Sequence, residues 1–240
     1  MKTIIVNHLT RMRRGFICVA GIALDKKQHV RPVLRSGNLT TSLLSRNRGP
    51  FDIGNVVKLG RIIHQPDSPH TEDYLFEPSQ CVIKGVAQSE DFWEILEKAS
   101  KTRLEEIFGE ELQHVGQSVY GTSPGYGQAS LGCLKLPEKP SLYIETGRPG
   151  KSQVRLRFTD GELRVNAGIT DIRLYEIENF SPKEEIIGEI KAQIKASAAI
   201  ILSLGLSRPF ASSPQFDPVN WLQVNNIHFR ENPVWQLGKI

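Results

Sequence analysis

The part of this 240-residue chain that most narrows its fold lies between residues 142 and 229. Leu142-Tyr143-Ile144 is a short apolar strand, and residues 153–158 alternate Val154, Leu156 and Phe158 with Arg155 and Arg157. Asp160-Gly161 supplies the residues of a tight hairpin turn. The return strand runs over 163–166, with a bulge expected at Gly168, and continues over 169–177. Pro182 opens a helix near 182–197, capped by Ser181, with Ile186, Ile187, Ile190 and Ile194 on one face and Lys183, Glu184, Glu185, Lys191 and Lys195 on the other. Residues 200–206 and 221–229 are the last strands. Three strands, one helix and two strands are the order of an OB barrel, a five-stranded, partly open Greek-key barrel.

The first half is also rich in strands. Thr3-Ile4-Ile5-Val6 and Phe16-Ile17-Cys18-Val19-Ala20-Gly21-Ile22 frame a polar link that contains Arg11, Arg13, Arg14 and Gly15, which predicts a β-hairpin. In residues 29–35 Pro32 marks a strand edge or exit, because proline cannot donate to a ladder. Residues 52–65 predict one strand with an irregularity at Gly60, and short strands follow over 74–76 and 80–83. A single helix is predicted near 90–108, capped by Ser89 and ended by Gly109. Residues 116–132, with five glycines, predict a long irregular loop. The fold class expected is mostly β with α (α+β): two OB-like β-barrels in tandem, each with an associated helix. The halves are 1–136 and 137–240, joined at Pro137-Glu138-Lys139-Pro140. The competing architecture is one larger β-rich α+β domain.

Neither the longest apolar run, 196–206, nor the N-terminal apolar run is long enough for a membrane span or a signal peptide, so a cytoplasmic location and no membrane partner are expected. Cys18, Cys81 and Cys133 are an odd, widely spaced set, which argues against a disulfide framework and a structural zinc site. The net charge of +4 hides a strong asymmetry, with +10 over residues 1–64, −8 over 65–116 and +2 thereafter. A basic segment beside an acidic one fits a polyanion-binding face. The acidic segment 65–116 either docks a basic protein partner or folds back to neutralise its neighbour.

Arginine stays charged at any accessible pH and offers a planar fork of donors that matches phosphate. The expected phosphate-binding residues are therefore Arg11, Arg13, Arg14, Arg31, Arg35, Arg46, Arg48 and Lys58, with Phe16, Tyr120, Tyr126 or Trp221 as stacking surfaces. Gln223, Asn225, Asn226 and His228 cluster in or near one strand and carry groups able to read base edges. His64 and His70 match no recurrent metal spacing, so no metal and no cofactor are expected. No nucleophile elbow, phosphate-cradling loop or zinc-protease helix is present, and no catalytic residue is assigned.

Three further stretches carry a resemblance. They are residues 204–210 with 220–228, the opening Lys2 to Thr10 with Gly15-Phe16, and Gly49-Pro50-Phe51-Asp52-Ile53-Gly54. Together they resemble the dual OB-containing domain family of prokaryotic proteins over essentially the whole chain. The resemblance implies two OB-like barrels and a role in nucleic-acid recognition, some members resembling components of defence against mobile elements. The function expected is thus non-enzymatic binding of single-stranded or structured DNA or RNA. The alternative is a sensor or processing protein for a nucleotide or small phosphorylated ligand held between the barrels, with residues 116–132 as a lid.

Overall fold

The structure, a computed structural model, describes residues 2–146, 152–176, 179, 181–211 and 213–236. Strands β1 (Thr3–Arg11), β2 (Phe16–Ala23), β3 (His29–Val33), β4 (Leu39–Thr40), β5 (Asn55–Lys58), β6 (Ile62–His64), β7 (Asp73–Phe76) and β8 (Val82–Val86) form one sheet. Its order is β6-β7-β3-β2-β1-β5-β8, with β4 paired to β2. The expected opening hairpin is β1 and β2, closed by a 3-10 turn at Arg13–Gly15 in which Gly15 takes a left-handed φ of 74°. Gly60, at φ 73°, breaks the expected strand over 52–65 into β5 and β6. Pro32 lies in the sheet interior. It pairs only with β7, however, beyond the last β2–β3 pair at Val30, so its missing donor costs no ladder bond on the β2 side.

Helix α1 (Ser89–Ala99) starts one residue earlier than a Ser89 cap requires, with Gln88 at the cap position. The single helix expected over 90–108 is two pieces. Strand β9 (Ser100–Lys101) interrupts it by pairing in parallel with Cys133 and Leu134, and α2 (Glu105–Phe108) follows. The Glu106 carboxylate accepts from the Thr102 and Arg103 N–H groups, which restarts the helix. Gly109 ends α2 at φ 89°.

Strands β10 (Gln113–Gly116), β11 (Val119–Thr122), β12 (Leu131–Lys135), β13 (Ser141–Thr146), β14 (Ser152–Thr159) and β15 (Arg164–Ile169) lead to α3 (Glu184–Ala196), β16 (Ile200–Leu206) and β17 (Asn220–Phe229). The second sheet has the order β13-β14-β15-β17-β16-β12-β9, with β10 and β11 attached through β17. Strands, α3 and strands thus follow in the OB order expected, and β15 pairs in parallel with β17. The Asp160 carboxylate closes the β14–β15 turn by accepting from the Glu162 and Leu163 N–H groups.

Four further expectations differ from the structure. Residues 116–132 contain β11 and are not one loop. Gly168 stays in regular register with Arg155 and carries no bulge. The strand ends at Ile169 and gives way to a 3-10 turn at Ile172–Leu174. Lys183, not Ser181, precedes the first turn of α3.

Each sheet wraps its own core. Ile4, Val6, Leu9, Val19, Ile22 and Phe51 belong to the first, together with Phe92, Trp93 and Leu96 of α1. Leu156, Ile169, Leu202 and Val224 belong to the second, with Ile187 and Ile190 of α3 and with Leu104, Ile107 and Phe108 around α2. By pairing, β9 to β12 belong to the second sheet, although residues 100–135 precede Pro137. No helix is long and apolar enough to cross a membrane among the described residues.

Candidate functional site

The first strand joins the two sheets. A bulge leaves Asn7 unpaired between Val6, opposite Gly21, and His8, opposite Ala20. The extra residue breaks the alternation of the strand, so Asn7 and His8 both reach the second sheet. The mirror event occurs in β17, where Asn225 is the extra residue between Val224, opposite Leu204, and Asn226, opposite Ser203. Asn7 Nδ2 donates to Ser203 Oγ at 3.1 Å, and Asn225 Nδ2 lies 3.0 Å from His8 Nδ1. Asn226 accepts from the Leu9 N–H at 2.7 Å and donates to the Leu9 carbonyl at 3.3 Å. His228 Nε2 meets Ser203 Oγ at 2.9 Å and the Asn7 carbonyl at 3.2 Å.

A cleft of about 670 Å³ opens where β1 leaves this seam. Its lining includes Arg11, Arg13, Arg31 and Arg208, and no carboxylate lines it among the described residues. Arg11 stacks on Tyr175, its guanidinium carbon 3.9 Å from the ring centroid, and its backbone N–H donates to the Thr170 carbonyl of the second sheet. Arg13 is exposed beside it. Arg31 is buried and donates through Nε to Asp73 at 2.6 Å, and Arg208 binds the other oxygen of the same carboxylate. One aspartate behind the cleft therefore holds two arginines, while Arg31 Nη2 has no protein partner. Gln153, Gln223 and Asn225 add amides to the lining, and Phe210 adds an aromatic, tilted against Trp221 at 5.9 Å.

The acidic segment supplies struts. Glu72 accepts from Ser130 N–H and Oγ and from Leu131 N–H, tying the first sheet to β12. Burial pushes its carboxyl above the usual range. Burial, with Arg31 and Arg208 near, holds His70 down to about 3. Of the acidic segment, Glu72 and Asp73 fold back on this chain.

Among the expected residues, Arg11, Arg13, Arg31, Gln223 and Asn225 meet at the cleft. Arg208 joins them, and an Arg-Pro pair in a loop gives no local sign of a fold-distant partner. Arg35, Arg46 and Arg48 are exposed and Lys58 is half-buried in β5, all outside the lining. The side chain of Arg14 lies outside what the structure describes. Asn226 and His228 do not face solvent as base-reading residues must: both are buried, with their polar edges taken by β1 and β16. Tyr120 is buried against His114, Tyr126 is exposed elsewhere, and half-buried Phe16 is also outside the lining. Trp221 donates to the Phe210 carbonyl, which fixes it at the edge of the cleft mouth. The loop after β11 packs on residues 68 and 69, away from the cleft it was expected to cover.

No curated protein and no solved structure matches this chain. A family model, the dual OB-containing domain, matches residues 2–227. With two β-sheets, OB order in the second and nearly full-length coverage, the chain belongs to the dual OB-containing domain family.

Proposed function

We propose that the protein is a non-enzymatic nucleic-acid-binding module that seats a short single-stranded segment in the cleft between its two sheets. The observation that carries this reading is the convergence of Arg11, Arg13, Arg31 and Arg208 on one cleft that no carboxylate lines among the described residues. Their forks match phosphate oxygens, Phe210 beside Trp221 offers a face for a base, and Gln153 and Gln223 offer donors and acceptors to base edges. A titration with short single-stranded oligonucleotides at two salt concentrations tests it. Log K is expected to fall with log salt by roughly 0.7 for each phosphate neutralised. No binding at low salt removes the proposal.

A second reading is favoured by the confinement of the arginines. Arg35, Arg46, Arg48 and Lys58 lie off the cleft, and about 670 Å³ is within the range of small-ligand pockets. A free nucleotide therefore also fits. Nucleotide that binds without oligonucleotide competing for the same site decides for this second reading.

A further inference from the structure

We infer that His8, His29 and Cys133 form a metal site, binding a divalent ion of zinc's class and joining the two sheets. His8 lies in β1 and His29 opens β3, both in the first sheet, whereas Cys133 lies in β12 of the second. One ligand atom from each lies within 4.8 Å of the other two, the one such group among the described residues. Cys133 Sγ is 3.6 Å from His29 Nε2. A tetrahedral ion bound to sulfur at about 2.3 Å and to nitrogen at about 2.05 Å sets its ligands about 3.5 Å apart, so this edge is already at the required length.

His29 Nε2 is met by Asn7 Nδ2 at 3.4 Å and by Cys133 Sγ at 3.6 Å, but the cluster leaves two of its buried polar atoms unmet. His8 is 1% exposed, and its Nε2 has no hydrogen-bond partner. The Asn7 side chain, beside the same sulfur, leaves its Oδ1 unpartnered as well. Buried polar atoms left unpaired are costly and call for an explanation, and an ion at His8 Nε2 supplies one. The residues around the ligands are those an ion needs. Asn7 Nδ2 donates to Cys133 Sγ at 3.3 Å, which stabilises a thiolate. The Asn225 amide sits against His8 Nδ1. Turned over, it accepts the Nδ1 proton, and the Nε2 lone pair is then free for the metal.

Binding balances simply: the Cys133 S–H bond breaks, its proton leaves to solvent, and a sulfur–metal bond forms. Two neutral imidazoles and one thiolate fill three positions, leaving the fourth for water or a ligand. Asn225 also lines the arginine cleft, so the ion stands directly behind that surface. Sequence spacing hides the site. Residues 8, 29 and 133 match no local metal motif, and the bulge at Asn7 brings them together.

Metal-stripped full-length protein titrated with Co²⁺, then Zn²⁺, tests the assignment. One Co²⁺ per chain is expected, with the visible bands of a four-coordinate ion, a thiolate charge-transfer band and displacement by Zn²⁺. The band should persist when Cys18 and Cys81 are both changed to Ala. It should disappear in Cys133→Ser, and His29→Gln should weaken affinity at least about tenfold. Absence of the charge-transfer band in the wild-type chain, or its loss on removing Cys18 and Cys81, overturns the inference. If Cys133→Ser fails to fold, half-buried His29 gives the decision: unchanged Co²⁺ affinity in His29→Gln overturns it.

Discussion

The Asn226 side chain holds Leu9 as a neighbouring strand would. Its oxygen accepts the Leu9 N–H at 2.7 Å, and its nitrogen donates to the Leu9 carbonyl at 3.3 Å. Backbone groups of β1 that face the second sheet are thereby satisfied without a continuous ladder, and both residues are fully buried.

Replacing Asn226 with Ala leaves two buried backbone groups of Leu9 unpaired. At roughly 1–3 kcal/mol for each buried group left unsatisfied, a loss of about 2–6 kcal/mol is expected. The urea midpoint should fall accordingly. Asn226→Asp should also destabilise, because a carboxylate cannot donate to the Leu9 carbonyl.

The Arg31–Asp73 pair predicts a different asymmetry. Asp73→Ala leaves Arg31 charged and buried, which should cost about 3–5 kcal/mol, whereas a paired Arg31→Met, Asp73→Leu change should cost clearly less. Thermal unfolding of the three proteins checks this. A single Asp73 variant as stable as wild type would show that water reaches Arg31.

At the cleft, Arg13→Ala should move stability by less than about 0.5 kcal/mol, because Arg13 is exposed. It should weaken oligonucleotide binding and reduce the salt slope by about 0.7. Arg11→Ala should behave otherwise. The side chain covers Tyr175, so about 0.5–1 kcal/mol of stability should be lost along with affinity. Gln223→Ala should leave the salt slope nearly unchanged and alter base preference.

Acid should destabilise the fold through its buried imidazoles. His70 and His228 are held down to about 3, chiefly by burial, against an ordinary value near 6.5. Their folded pKa is depressed, so the unfolded chain binds protons that the folded chain refuses. The stability they contribute is complete above about pH 6.5 and is lost as the pH falls towards 3. Each should cost about 2 kcal/mol by pH 5. Chemical denaturation between pH 7 and 5 should show this fall, and His70→Asn should flatten it by the share of one site.

What was legible in the sequence is what short-range chemistry decides. Asp160-Gly161 specifies its own turn, and the isoleucines of α3 declare a buried face without outside help. The break after Ala99 was hidden because β9 exists only by pairing with Cys133 and Leu134. Likewise β11 sits in a glycine-rich stretch and joins the main sheet only through a strand a hundred residues later, where Gly121 lies so close to Asn220 that a Cβ would come within 2.7 Å of its carbonyl oxygen. At the candidate site, arginine chemistry pointed to phosphate, but nothing local separates Arg31, held by Asp73, from exposed Arg46. Polar residues such as Asn226 and His228 in a strand read the same whether they meet solvent or another sheet.

The pairing of β12 with β16 makes the two halves interdependent along the chain. A polypeptide stopped after residue 136 would carry β9 to β12 with β16 and β17 missing, and a polypeptide starting at 137 would present β16 with one flank bare. Such pieces should aggregate when made singly and recover the native sheet when made together, as the two parts of a split reporter do. Pieces cut ahead of β9 should not need this rescue to complete their sheets, since every strand of each sheet then resides in one piece.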